Sequence, residues 1–248
     1  MSKFRNYILL AGFLLFSLSG LKAQDVHFSQ AGAAPTLLNP AFTGVFNGKI
    51  RTNLNYRNQW GGFSQTGSAY TTFAASADLH ISNVALKRNF LGAGLTILQD
   101  RSGEAGLYTQ NIIFGNSLGL NFSKKKQENI LVLGYQFAVL IRGLAHEQLT
   151  FGSQYVNNAY DATAPNNESW FDEFRFGYDF SAGALWMSKP SDEMSFYLGS
   201  GLFHINQPNQ SFFEGGNEKL NMRYTIHGGL EYSFARMFDI MPNFQYQR

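Results

Sequence analysis

The sequence predicts an all-β fold, a transmembrane antiparallel β-barrel of the bacterial outer-membrane kind. Three observations carry that prediction. First, residues 220–234 separate two chemistries at period two: Leu220, Met222, Tyr224, Ile226, Leu230, Tyr232 and Phe234 against Asn221, Arg223, Thr225, His227, Gly229, Glu231 and Ser233. A strand of roughly fifteen residues exceeds the usual five or six of globular sheets, whereas membrane strands of about ten or more turn an apolar face to lipid and a polar face to a lumen. Second, the 24 phenylalanines and 12 tyrosines supply the aromatics that such barrels place where lipid meets water. Third, no apolar run after Ala23 approaches the roughly twenty residues of a membrane helix, so insertion would use strands whose backbone groups pair around a cylinder. A long soluble strand is the competing reading of 220–234.

Taken in order, the chain opens with Lys3 and Arg5, an apolar run from Tyr7 to Leu18, then small and polar residues to Ala23. This is the pattern of an export signal occupying residues 1–23. Its removal takes three cations and no acid, so the formal charge falls from +2 to −1. The basic balance belongs to the leader, and nothing points to nucleic acid. With no cysteine anywhere, a lipid-anchored lipoprotein and any disulfide are excluded.

Residues 24–48 lack strand periodicity and form an irregular lead-in, expected to lie against the periplasmic side. Phe28, Leu37, Leu38 and Phe42 anchor it, and Asn39-Pro40 followed by Thr43-Gly44 is turn chemistry. The barrel is then expected over residues 49–248. Its first strand, Ile50 to Trp60, sets Ile50, Thr52, Leu54 and Tyr56 against Arg51, Asn53, Asn55, Arg57 and Gln59. Amides and arginines, rather than lysine and glutamate, favour a lumen over a solvated outer face. Further strands are expected at 70–79, 90–98, 108–122, 130–142, 177–187, 196–205 and 220–234, with a last one beginning near Ile240, about nine in all. On the strand from Tyr108 the polar face carries Thr109, Asn111, Gly115, Ser117 and Gly119; on the next it carries Gly134, Gln136, Ala138 and Arg142. These small residues imply close packing or a narrow lumen.

With the amino end in the periplasm, the short connections 123–129, 188–193 and 235–237 fall on that side, while the long ones, 143–171 and 206–219, fall outside. That is the bacterial arrangement.

Catalytic patterns are weak. His27, His80, His146, His204 and His227 are scattered without metal spacing and read as isolated hydrogen-bonding histidines. There is no GxSxG elbow, and Gly92-Ala93-Gly94 sits inside a strand with no helix after it to cradle a phosphate. Catalytic, metal and cofactor-binding residues are therefore all expected to be none.

Other motifs carry a resemblance. Phe28-Ser29-Gln30 after His27, Asn39-Pro40-Ala41-Phe42-Thr43-Gly44 and Tyr56-Arg57-Asn58-Gln59-Trp60 resemble the amino-terminal signature of the PorP/SprF family of the Bacteroidetes type IX secretion system. Residues 149–154, 180–183, 204–212 (with Pro208 and Phe212) and 242–244 agree with it. The resemblance implies a non-enzymatic outer-membrane barrel of about fourteen strands, working with other type IX secretion and gliding-motility components. It also implies a large adhesin with a non-cleaved C-terminal sorting domain as a partner, secreted or held at the surface. The motif positions are structural or partner-contact candidates. A passive porin is the alternative, and an outer-membrane hydrolase a more distant one. Family barrels continue beyond the Pro-Asn-Phe stretch, so the expectation for a chain ending at Arg248 is a barrel lacking its C-terminal strands.

Overall fold

The computed structural model describes residues 28, 31–62, 69–82, 89–103, 106–123, 127–144, 150–165, 174–213, 215–234 and 238–248. One antiparallel sheet dominates them. In chain order its strands are β1 (Ile50–Gln59), β2 (Tyr70–Ser82), β3 (Phe90–Ser102), β4 (Leu107–Asn121) and β5 (Glu128–Gly143). A small separate hairpin, β6 (Tyr155–Val156) and β7 (Ala159–Tyr160), follows in the long connection. The sheet then resumes with β8 (Phe174–Ser191), β9 (Met194–Phe203) and β10 (Arg223–Phe234). Its last line is formed by β11 (Phe238–Ile240) and β12 (Asn243–Gln247), both paired to β10. Sequence neighbours pair throughout, a meander with β1 at one edge and β11/β12 at the other.

The nine expected strands are present with small shifts. The strand expected from Leu220 begins at Arg223, because Leu220 instead donates its N–H to the Pro208 carbonyl at 3.0 Å and Lys219 pairs with Asn209. Loop contacts there outcompete the alternating pattern. The last line breaks between β11 and β12 at Pro242, which has no N–H for a ladder but whose carbonyl accepts from Leu230.

Side chains alternate as the period requires. Leu54 is 73% exposed and Phe176 74%, while Asp78, Gln136 and Thr225 on the other face are buried. Exposed aromatics stand at both strand ends, with Tyr56, Tyr70, Phe176 and Tyr224 at one and Phe122, Trp186 and Phe234 at the other, and also in the middle, where Phe114 lies opposite Leu95 and Phe180 is exposed as well. An apolar outer face rich in aromatics, with the polar side chains turned inward, is what a strand needs in lipid. No described helix is long and apolar enough to cross a membrane.

The inner face is wrapped around a single segment of chain. Residues 31–44 form a 3-10 turn (Ala31–Ala33), the one-turn helix α1 (Pro35–Leu38) and a second 3-10 turn (Pro40–Phe42). Proline at the first position of both later turns costs nothing, since that N–H has no helical partner. Side chains or backbone of the stretch 33–44 touch inner-face residues of β1, β2, β3, β4, β5, β8, β9 and β10. Eight strands laid flat would span about 34 Å. A dozen residues folded into tight turns reach all eight only because the sheet curls round them.

Candidate functional site

The centre of this inner packing is Asn39. It is fully buried and does three jobs at once: Oδ1 accepts from the Ala41 N–H at 2.9 Å, closing the second turn, while Nδ2 donates to the Ala184 carbonyl at 2.9 Å and to His227 Nε2 at 3.0 Å. The His227 ring in turn stacks on Phe42, centroids 5.0 Å apart. Asparagine suits the place because only an amide offers an acceptor to its own turn and donors to two walls. Around it, Gln136 donates to the Thr36 carbonyl at 2.8 Å, Thr225 to the Leu38 carbonyl at 2.8 Å, and Ser117 to the Thr43 carbonyl. Thus polar inner residues of three strands satisfy backbone groups that a non-strand segment otherwise leaves orphaned.

Glycines on the sheet admit the segment. A Cβ at Gly134 would lie 2.5 Å from the Cα and N of Ala41, and one at Gly183 would collide with Asn39. At Gly92 it would strike the Thr43 carbonyl, backbone against backbone. Gly44, φ +72°, turns the chain toward β1 in a left-handed conformation and lies against Gly92.

An ion pair fastens the exit of the segment. Arg51 Nη2 lies 2.7 Å from Asp78 Oδ2 and Nε 3.0 Å from Oδ1, a two-point fork. Arg51 also donates to the Phe42 carbonyl at 2.9 Å and to the Val45 carbonyl at 3.1 Å, and Asp78 accepts from the Gly44 N–H at 2.7 Å. His80 Nδ1 donates to the Gly44 carbonyl at 2.7 Å.

At the opposite end of the strands, residues 204–213 and 215–222 fold back over the inner face. Arg142 Nη1 donates to Gln210 Oε1 at 2.6 Å and its guanidinium lies 5.6 Å from the Phe212 ring centre. Arg175 donates to the Ser211 carbonyl and, at 3.3 Å, to the Phe213 carbonyl. His204, φ +58°, is held by Asp179, Nδ1 to Oδ2 2.8 Å.

The expected motif positions therefore sort into places. Asn39, Pro40 and Gly44 lie inside the curled sheet, and Pro208 and Phe212 in the fold-back at its end, Pro208 buried and Phe212 partly so. Tyr56, Arg57, Asn58, Gln59 and Trp60 lie along the end of β1, where Arg57 donates to Thr72 at 3.2 Å while Tyr56 and Trp60 are exposed. Phe28 is partly buried; Gln30, the export signal and the region of Lys125 lie outside the described residues. Asp78 carries no motif. Its position opposite Arg51 in the β1–β2 register is Arg51↔Asp78, a pairing legible once the hairpin is drawn.

A family model described as type IX secretion system membrane protein PorP/SprF matches residues 20–248, nearly the whole chain. The chain belongs to the PorP/SprF family. Among curated proteins and solved structures none matches. The match joins the lead-in and the strands in one PorP/SprF unit, in keeping with a segment that packs inside its own sheet. As a member of that family the chain is a membrane component of the type IX secretion system.

Proposed function

We propose that this chain is a non-enzymatic outer-membrane component of type IX secretion and gliding, binding protein partners rather than passing solutes. The observation that carries this reading is the lead-in. A diffusion porin needs a water-filled lumen, whereas here the inner side chains of Gln136, Thr225, His227 and Ser117 are spent on Thr36, Leu38, Asn39 and Thr43, and the far end is covered by residues 204–213 and 215–222. A large adhesin with a non-cleaved C-terminal sorting domain is the partner that the family resemblance favours. The exposed hairpin β6–β7, with Tyr155 and Tyr160 side by side, belongs to the surface offered on the side of the long loops. Tyrosines in such a setting are common anchors of protein interfaces.

Short turns at one end and long connections at the other support a periplasmic amino end. Deletion of the gene is expected to abolish surface display or secretion of one large adhesin, restored by the intact gene. Unchanged display would overturn the partner reading, and a steady open conductance of the purified protein in planar bilayers would favour the porin. Orientation is tested separately. A cysteine at Asn158 should react with a membrane-impermeant maleimide on intact cells, and one at Ser123 only after permeabilisation; the reverse would invert the topology.

A further inference from the structure

The two edges of β8 are paired to different heights. Toward β5 the strand is paired from Phe174↔Gly143 down to Lys189↔Glu128. Toward β9 the regular ladder reaches only Ala182↔Leu202. Beyond it, Ile205 donates its N–H to the Phe180 carbonyl at 2.9 Å, and the Asn206 amide stands in for a peptide group: Oδ1 accepts from the Phe180 N–H at 3.0 Å and Nδ2 donates to the Tyr178 carbonyl at 2.7 Å. His204 and Gln207, φ 58° and 45°, then turn the chain inward, where Pro208 is buried. Backbone groups along a strand alternate between its two sides. What is left on this edge is therefore the Tyr178 N–H, the N–H and C=O of Phe176, and the Phe174 C=O, and among the described residues none of these has a partner.

This stretch also lies past the length that crosses a membrane. A crossing takes about ten residues. β9 has ten, and its ladder with β8 uses them, so residues 174–178 stand beyond, at the end flanked by the long connections. Their outer side chains are Phe174, Phe176 and Tyr178, of which Phe176 is 74% exposed. A girdle at the lipid surface accounts for aromatic rings, but not for a bare backbone edge beside them. Edges left in water are usually blunted by lysine, proline or a bulge. Here the register with β5 is unbroken, no proline or lysine occurs from 174 to 178, and Arg175 turns inward to the Ser211 and Phe213 carbonyls.

We propose that this edge of β8 receives an extended strand of a partner protein, laid beside residues 174–178 and hydrogen-bonded to the backbone of Phe176 and Tyr178. The chemistry selects a peptide. Donors and acceptors recurring at every second residue along a straight edge are answered by the backbone of another strand, whereas an acyl chain offers neither and a sugar lacks the repeat. One step below, Ile205 and Asn206 already fill the same edge with a peptide N–H and an amide. Partner residues on the outer face come beside Phe174, Phe176 and Tyr178, so β-branched or aromatic side chains fit at alternate positions. The residues between them turn toward Arg175 and Gly177.

The proposal rests on the partner-binding reading and gives it a mode and a place. The test uses the full chain in detergent and a blocked, dye-labelled seven-residue peptide alternating valine with threonine, made in two forms. In one the threonine nitrogens are methylated, in the other the valine nitrogens, so each form can pair through one edge only. The form with free valine N–H groups puts valine beside the aromatic rings and should bind, read by anisotropy, about tenfold or more tighter than its isomer. At saturation, amide exchange at Phe176 and Tyr178 should slow. Phe176→Pro removes an N–H that faces away from β5 and should weaken binding about tenfold, while Phe176→Ile, which keeps it, should stay within about threefold. Equal binding of the two forms would mark adhesion by apolar contact and overturn the proposal. So would protection confined to β1 or β12, unchanged binding by a folded Phe176→Pro, or no binding of either form at about 1 mM. The paired peptides and the exchange need no variant, so they decide the matter if Phe176→Pro fails to fold. Adhesin display is scored separately on cells: display lost on gene deletion while the peptide leaves β8 untouched overturns the edge assignment alone.

Discussion

Two segments enter the curled sheet from opposite ends, and they are held differently. The lead-in meets the sheet backbone to backbone through glycines and shields Asn39, Thr43 and Asp78 almost completely from solvent. The fold-back of 204–213 and 215–222 meets it through long side chains: Arg142 and Arg175 reach up to loop carbonyls and an amide. Close backbone approach leaves no slack, whereas arginine stems adapt to small displacements. The lead-in is core, and the fold-back is a cover.

The largest expected effect tests that contrast with two glycines. Gly134→Val forces a branched side chain into the backbone of Ala41 and Pro40, 2.5 Å from the first added atom. Overpacking of this kind costs about 1–3 kcal/mol where the neighbours can shift, and here they are main chain. Folded protein in the membrane fraction should fall several-fold. Gly177→Ala, under the fold-back, adds a Cβ at 3.8 Å from Leu140 and 3.9 Å from Pro208, ordinary contact, and should leave yield and urea midpoint within error. Equal losses at the two sites would erase the distinction between core and cover.

A smaller difference is expected from the polar clasps. Asp78 is 1% exposed and its partner Arg51 19%, so Asp78→Asn leaves a guanidinium among carbonyls without its counter-charge. Breaking a buried pair costs about 3 kcal/mol or more. Gln210→Ala removes the acceptor of one Arg142 bond in a loop and should cost about 1 kcal/mol. Urea unfolding of the two variants in one detergent compares them directly; a loss for Asp78→Asn no larger than for Gln210→Ala would show the lead-in to be as loosely held as the cover.

Period two made most of the sheet legible in advance. The polar set Arg51, Asn53, Asn55 and Arg57 faces inward as expected, and so does the set Thr225, His227 and Gly229. The turn chemistry at Asn39-Pro40 and Thr43-Gly44 was legible too, because proline and a left-handed glycine leave few alternatives. The destination of the lead-in was not. Nothing local distinguishes a peptide lying at the mouth from one packed between Gly92, Gly134 and Gly183, since the fit exists only after strands far apart in sequence have curled together. The inner glycines were the available signal, and they spoke of close packing without naming the occupant. The bulge that sets Lys189 and Pro190 of β8 against Ser195 of β9 was equally silent: Lys189-Pro190 reads as a turn approach, and a two-against-one pairing depends on the opposite strand.

The smallest expected effect lies outside the membrane, in the loop around β6 and β7. Asn157 and Asn158, φ 53° and 62°, make the hairpin turn, a pair of left-handed residues suited to the strand twist. Asp161 follows, its N–H donating to the Gln154 carbonyl at 2.9 Å and its Oδ1 accepting from Thr163 Oγ1 at 2.6 Å and Thr163 N–H at 2.8 Å. The Thr163 hydroxyl first, and then its N–H, hold the Asp161 carboxyl below its ordinary range. A carboxyl whose pKa is lower folded than unfolded contributes order that is present above the unfolded value and lost as pH falls through the folded one. Amide exchange at Thr163 and Ala164, corrected for intrinsic rate, should therefore be constant near neutrality and accelerate only below the usual carboxylate range, about pH 4. The carboxyl is fully exposed, so the change is modest, a few-fold, while the amide of Ala41, held by Asn39 under the sheet, stays protected over the same span. Asp161→Asn should flatten the acid limb. An Asp161→Asn variant that keeps the full acid acceleration would place its cause elsewhere in the loop.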